Sequence, residues 1–349
     1  MNRKYALGLT IVELMVSLAI SAVLLLGVGT VYVGSRQSYK VQDQFAMIQE
    51  NARYAHHLVT KEVRQAGFQG CARLEYLQPN VISDPSSLPG ALEFDKNNFI
   101  KGHGDSNGDG TQVPALPSTP THTPLAGTDA VTVRKASSCG ATLTGVMTVA
   151  NANVQLMNSC GFEQGDVVMI TDCESADIFT ITNTPGGQGS STTLAHANGS
   201  NIGNRLSKNY LDDAQVMKFE QVTYFIANND DGIPSLYQSA WVNNGGAVTS
   251  EETELVDNVE DFHVLFGVDN SGENYSADRY MTAEEVESAG ADTWGLVTSV
   301  KLALLMRSDQ EVGKAEKKFT FDGNTVTTPG DKRYRREFTT TVNIRNRTP

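Results

Sequence analysis

The sequence predicts an α+β protein in which one very long N-terminal helix packs on a mainly antiparallel β-sheet head. Three observations predict it. An apolar run extends from Leu9 to Val33 with a single charge, Glu13. Apolar residues then recur at steps of three and four through Val41, Phe45, Ile48, Ala52, Ala55, Val59, Val63 and Ala66, which marks one face of a helix. Beyond Gly67 and Gly70 the chain turns to short strand-like runs without a regular strand–helix alternation, the pattern of an antiparallel rather than a doubly wound sheet.

The apolar run comes first. Its 25 residues would rise about 37 Å as a helix, enough to cross a hydrocarbon core of about 30 Å. It exceeds the apolar segment of a secretory signal, and no clear A-x-A site follows it. Arg3 and Lys4 precede it, so the N-terminus is expected in the cytoplasm and the bulk of the chain outside. No proline interrupts residues 35–66, and Gln42, Gln49, Glu50, Arg53 and Lys61 fill the positions between the apolar ones. One continuous helix is therefore expected from Leu9 to Ala66, on the order of 85 Å long. Residues 9–34 form its wholly apolar half and 35–66 its amphipathic half. Gly67 and Gly70 are its stop signals.

Residues 67–349 form the expected head. "DAVTVRK", "GDVVMITDC" and "ADIFTIT" read as strands, and "QVMKFEQVTYFIANNDDGIPSLYQ" as strand, turn and strand around Asn229–Gly232. "EDFHVLFGVD", "LVTSVKLALLMRS" and "REFTTTVNIRN" complete the set, with one short helix in "MTAEEVESAG". "PALPSTPTHTP" reads as extended and exposed, and "NTPGGQGSSTT" as a flexible loop.

A formal net charge of −13 argues against a nucleic-acid binder working through overall charge. The sequence contains no H-E-x-x-H, G-x-S-x-G or Walker loop, and neither enzyme activity nor a cofactor is predicted. "GHGDSNG" lacks the preceding strand that a dinucleotide fingerprint requires. His56 and His57 are helix neighbours about 100° apart and cannot readily share a metal. Asp105, Asn107, Asp109 and Gly110 fit the opening of a calcium loop, yet the twelfth position is Leu116 instead of a glutamate. A solvated turn is the preferred reading, with calcium as the alternative. The basic island of Arg333, Arg335 and Arg336 reads as a solvated edge strand.

Four cysteines, Cys71, Cys139, Cys160 and Cys173, lie on the outer portion, where two disulfides are expected. Three pairings are possible on sequence alone. The short loop between Cys160 and Cys173 favours joining those two, leaving Cys71 with Cys139.

A lone carboxylate in an apolar run costs a few kcal/mol and needs a partner. "RKYALGLTIVELMVSLAI" resembles the N-terminal signature of type IV pilins and pseudopilins. The resemblance implies a leader of residues 1–8, cut by a prepilin peptidase between Gly8 and Leu9, with methylation of the new Leu9 amine. Leu9 departs from the phenylalanine usual there but retains a large apolar side chain. Glu13 would then be the fifth mature residue, which in the family pairs with the N-terminal amine of a neighbouring subunit. "SRQSYKVQDQFAMIQENARYAHHLVTKEVRQAGFQGC", "TDAVTVRK", "GDVVMITDCESADIFTIT", "YFIANNDDGIPSLYQ", "VEDFHVLFGVD", "KLALLMRS" and "VNIRNR" are similar to blocks of the PilW group of minor pilins. That resemblance implies a pilin-like fold and a non-enzymatic subunit, held in the inner membrane, that primes pilus assembly and then sits at the tip. Its implied partners are other minor pilins, the major pilin and a large tip-adhesin subunit. The alternatives are a minor pseudopilin of a type II secretion system and a membrane-anchored periplasmic binding or adhesive module.

Overall fold

The computed structural model describes residues 10–347 apart from 91, 106, 159, 187–191, 272–273, 314–317 and 329. Gly8, Leu9 and the 1–8 leader lie outside the described residues, as does part of the glycine–serine loop near residue 187.

Ile11–Gln65 form one uninterrupted helix, α1, about 82 Å long. Thr10 caps its start through a capping box with Glu13. Its buried face in the second half is Gln44, Ile48, Ala52, Ala55, Val59 and Val63, with the alanines letting the helix lie close to the sheets. Phe45 is half-buried, its ring 4.2 Å from that of Tyr334. Gln44 takes the buried position beside it, and its Oε1 accepts the Gln310 N–H at 3.0 Å.

The helix ends where Gly67 takes a φ of +72°. A Cβ there would sit 3.0 Å from Leu74 Cδ1 and 3.1 Å from the Phe99 ring. Backbone strain and crowding act together, so Gly67→Ala should lower stability by about 1–3 kcal/mol. An unchanged thermal midpoint would contradict this account of the exit turn.

The strands, in chain order, are β1 (Asn80–Val81), β2 (Ile100–His103), β3 (Ala130–Thr142), β4 (Val154–Leu156), β5 (Val167–Thr171), β6 (Ala176–Thr180), β7 (Thr192–Leu194) and β8 (Gln215–Asn228). They continue with β9 (Pro234–Asn244), β10 (Ala247–Asp257), β11 (Val259–Val268), β12 (Arg279–Met281), β13 (Val297–Glu311), β14 (Lys318–Phe321), β15 (Asn324–Thr327) and β16 (Arg333–Asn343). A short helix, α2 (Ala283–Ser288), falls where expected, with Thr282 and Glu285 forming its capping box.

The larger sheet runs β1-β6-β5-β8-β3-β2 and forks at β8, whose second half pairs with β9, which in turn pairs with β10. The second sheet runs β12-β11-β13-β16. Every pairing in both is antiparallel except β1 with β6.

The main core lies between α1 and both sheets, with Val63, Val133, Met217, Phe262, Leu304 and Val342 among its members. Other packing covers the far faces. Leu143, Leu156, Leu194 and Tyr210 pack behind β5 and β6, and Leu116 behind β8 and β9. Phe319 and Val326 of the β14–β15 hairpin lie on the outer side of β13. Cover on both faces explains why β5 is buried at all five positions and why Thr132 and Arg134 are buried alongside Val131 and Val133.

Both disulfides form, with a pairing that corrects the sequence expectation: Cys71–Cys173 and Cys139–Cys160, with Cα separations of 5.3 and 5.9 Å. The reason is strand order. Cys139 lies on β3 and Cys173 just beyond β5, and β8 separates those strands. Two strand spacings of about 4.8 Å exceed a disulfide's usual reach. Met157 N–H donates to Thr142 O and Asn158 Nδ2 to Gly140 O, which draws Cys160 to β3. A Cβ at Gly70 would sit 3.2 Å from Thr171 Cγ2 and 3.3 Å from Met217 Cε, so its absence lets the chain pass close to these side chains and brings Cys71 to the end of β5.

Candidate assembly surface

All residues from Ile11 to Lys40 are exposed, including Ile11 at 81% and Leu25 at 71%. No soluble domain leaves such a length of apolar helix bare, so this half is built for lipid or for other helices. Its only acid is held locally. Glu13 Oε2 accepts the Thr10 N–H at 3.0 Å and the Thr10 hydroxyl at 3.1 Å, while Glu13 N–H donates to Thr10 Oγ1 at 3.2 Å. Among the described residues Oε1 has no hydrogen-bond partner. Glu13 thus satisfies the helix start with one oxygen and leaves the other available.

The 105–110 loop closes on itself. Asp105 is 4% exposed, its Oδ2 accepts the N–H groups of Gly110 at 2.8 Å and Gly127 at 2.7 Å, and its Oδ1 that of Asp109 at 3.2 Å. Burial pushes its pKa up, but these donors outweigh burial and hold it below the usual carboxylate range. Asp109 Oδ1 accepts the Thr111 N–H, and Asn107 lies on the rim of the adjoining cleft. Among the described residues no group of three or more His, Cys, Asp and Glu is arranged to hold a metal.

The basic island departs from the solvated edge expected for it. β16 is an edge strand, but the Arg335 side chain is 3% exposed and grips Glu260 at 2.5 and 2.8 Å and Asp331 at 2.7 Å. Arg333 donates to Ser308 O at 2.7 Å, and Arg336 is exposed over the Phe338 ring. His56 also differs: it is half-buried, and its Nε2 lies 3.2 Å from Phe338 O. Glu260 and Ser308 come from β11 and β13, and His56 meets β16 from α1, neighbours that local alternation does not report.

A polar clasp joins the sheets where β3 begins. Asp129 N–H donates to Phe262 O and Asp129 Oδ2 accepts the Val264 N–H, both at 2.8 Å. Burial raises Asp129 and nearby Asp261 to about 6, against the opposing pull of their backbone donors and His263. Folded-state values above the ordinary carboxylate value of 3.8 mean that their contribution is full below about pH 4 and lost as pH rises through about 6. His56 and His103 are lowered by burial, His103 to about 4, and act with the opposite sign. The readout is therefore variant minus wild type. Asp129→Asn should gain about 1–3 kcal/mol more at pH 8 than at pH 4, measured by thermal melting. Equal gains at both would refute the assignment.

Comparison with known proteins places these features. Residues 3–29 match the prokaryotic N-terminal methylation motif, and residues 223–346, from β8 through β16, match Type IV Pilus-assembly protein W, PilW. No curated protein matches the sequence. A solved type IV-like pilin from Thermus thermophilus aligns at 12% identity over 88% of this chain and 97% of its own, with a TM-score of 0.33. The methylation-motif match falls on the first part of the bare apolar helix, so the N-terminal region of this chain is similar to that of prepilin-type proteins. Over β8 to β16 the chain is similar to PilW.

Proposed function

We propose that this chain is a minor pilin that primes pilus assembly and is incorporated at or near the tip. It is cut between Gly8 and Leu9 by a prepilin peptidase and methylated at Leu9. Before incorporation it is a single-pass inner-membrane protein with the head in the periplasm. The observation carrying this reading is α1: a capped glutamate followed by an exposed apolar half, continuous with an amphipathic half embedded in the head. Such a helix serves first as a membrane anchor and then as a piece of a filament core, where other subunits' helices replace lipid. Its partners are other minor pilins, the major pilin and a tip-adhesin subunit. The role is structural and involves neither catalysis nor a cofactor.

The test is the N-terminal mass of the protein recovered from its native membrane. A methylated Leu9 start is expected. An intact Met1 start in cells with active peptidase would reduce the chain to an anchored periplasmic domain. Loss of pili on deletion is the expected phenotype; loss of protein secretion with normal pili would assign it to a secretion pseudopilus instead.

A further inference from the structure

We infer that a groove where α1 ends is an anion-binding site that takes an acidic segment of a neighbouring protein. A cavity of about 520 Å³ opens there, lined by Arg64, Phe68, Ser137, Ser138, Arg345 and Asn346 among others. The backbones carrying its two arginines are joined, with Arg345 N–H donating to Arg64 O at 3.0 Å. Both side chains are exposed, and among the described residues neither forms an ion pair. The helix offers Arg64 no acid one turn back, where Thr60 and Lys61 stand. Glu62, two residues before Arg64, is already engaged: it is held at 2.8 Å by Lys135, which also contacts Gln65.

Two uncompensated guanidiniums in a concave site are unusual in a chain of net charge −13. Their planar forks suit carboxylate oxygens, and Ser137 of β3 lines the same cavity. A lipid headgroup is excluded by position, because Arg64 lies about 47 Å beyond Val33 along the helix axis. An acidic segment of an adjacent subunit can reach that height. That the occupant is a subunit rests on the assembly reading; carboxylate binding by the groove does not.

The test uses the detergent-solubilised full-length chain and a fluorescent hexaglutamate peptide, followed by anisotropy. Saturable binding that weakens between 50 and 300 mM salt is expected, since exposed charges are screened at ionic strengths of about 0.1 M and above. Arg64→Glu with Arg345→Glu should weaken it at least about tenfold, while Arg64→Lys with Arg345→Lys retains part of it. Inorganic phosphate at about 20 mM should displace less than half of the peptide. Absence of binding up to about 1 mM peptide, or equal binding by the charge-reversed variant, would overturn the proposal. Complete displacement by phosphate would also overturn it, making a small free anion the ligand. A chain recovered with an intact Met1 would end the pilin reading while leaving peptide binding standing, so the two fail separately.

Discussion

Replacing Cys71 and Cys173 together by serine should destabilise the head more than replacing Cys139 and Cys160. The bridges close loops of 102 and 21 residues. Chain entropy then assigns about 4.7 kcal/mol to the first and about 3 kcal/mol to the second. For a domain of this size each kcal/mol moves the melting temperature by about 2–4 °C, so the first loss should lower it by roughly 10–20 °C. Removing both cysteines of a pair avoids leaving a reactive thiol that could scramble the survivors. A larger drop for the Cys139/Cys160 variant would contradict the ranking, and a non-reducing peptide map linking Cys71 to Cys160 or Cys139 would contradict the pairing itself.

The longer bridge also lies at a mechanically telling place. Cys71 follows the end of α1 by six residues. On the way, Gly67 N–H donates to Arg134 O, and Ala136 N–H donates to Phe68 O. Besides the packing of its amphipathic half and the grip of Lys135 on Glu62 and Gln65, load carried by the helix can therefore reach the larger sheet through two backbone hydrogen bonds and one covalent link. In the filament reading this junction passes tension from the filament core to the head.

What the sequence made legible follows physical range. Helix α1 was readable because its signals are local: an unbroken 3.6-residue period, no proline, and glycines at the exit. Strands β3, β5, β8, β11 and β13 were readable for a similar reason, since burial writes long β-branched and aromatic runs into them, and the edge strand β16 was readable by its alternation. Strand β10 escaped notice because Glu251, Glu252 and Glu254 make it look like a loop, and its sole ladder partner is β9. The two-residue β1 and the three-residue β4 and β7 are too short to carry a period. At the candidate site, Glu13 was conspicuous by its charge in an apolar run. The cysteine pairing and the burial of Arg335 were not legible, because they depend on which distant strands become neighbours.

Glu13→Gln should reduce incorporation into filaments at least about a hundredfold while leaving the head folded. Glutamine keeps a side-chain oxygen for the Thr10 donors, so the capping box of α1 largely survives. What disappears is the charge that, in the assembly proposed above, Oε1 would offer to a neighbour's N-terminal amine. Removing one member of a desolvated ion pair costs about 3–5 kcal/mol because the other is left uncompensated, and each 1.4 kcal/mol is a factor of ten. Loss of capping alone would cost about 0.5–2 kcal/mol. Glu13→Ala removes both functions and should be at least as severe. The measurement is the ratio of the variant in sheared filaments to that in membranes, with near-ultraviolet circular dichroism reporting on the head. Should the glutamine variant assemble normally while alanine does not, Glu13 would be a helix cap and the intersubunit pair would have to be abandoned. Should both fail with the head intact, a single carboxylate would be performing two tasks with its two oxygens, one closing its own helix and the other setting the register of the next.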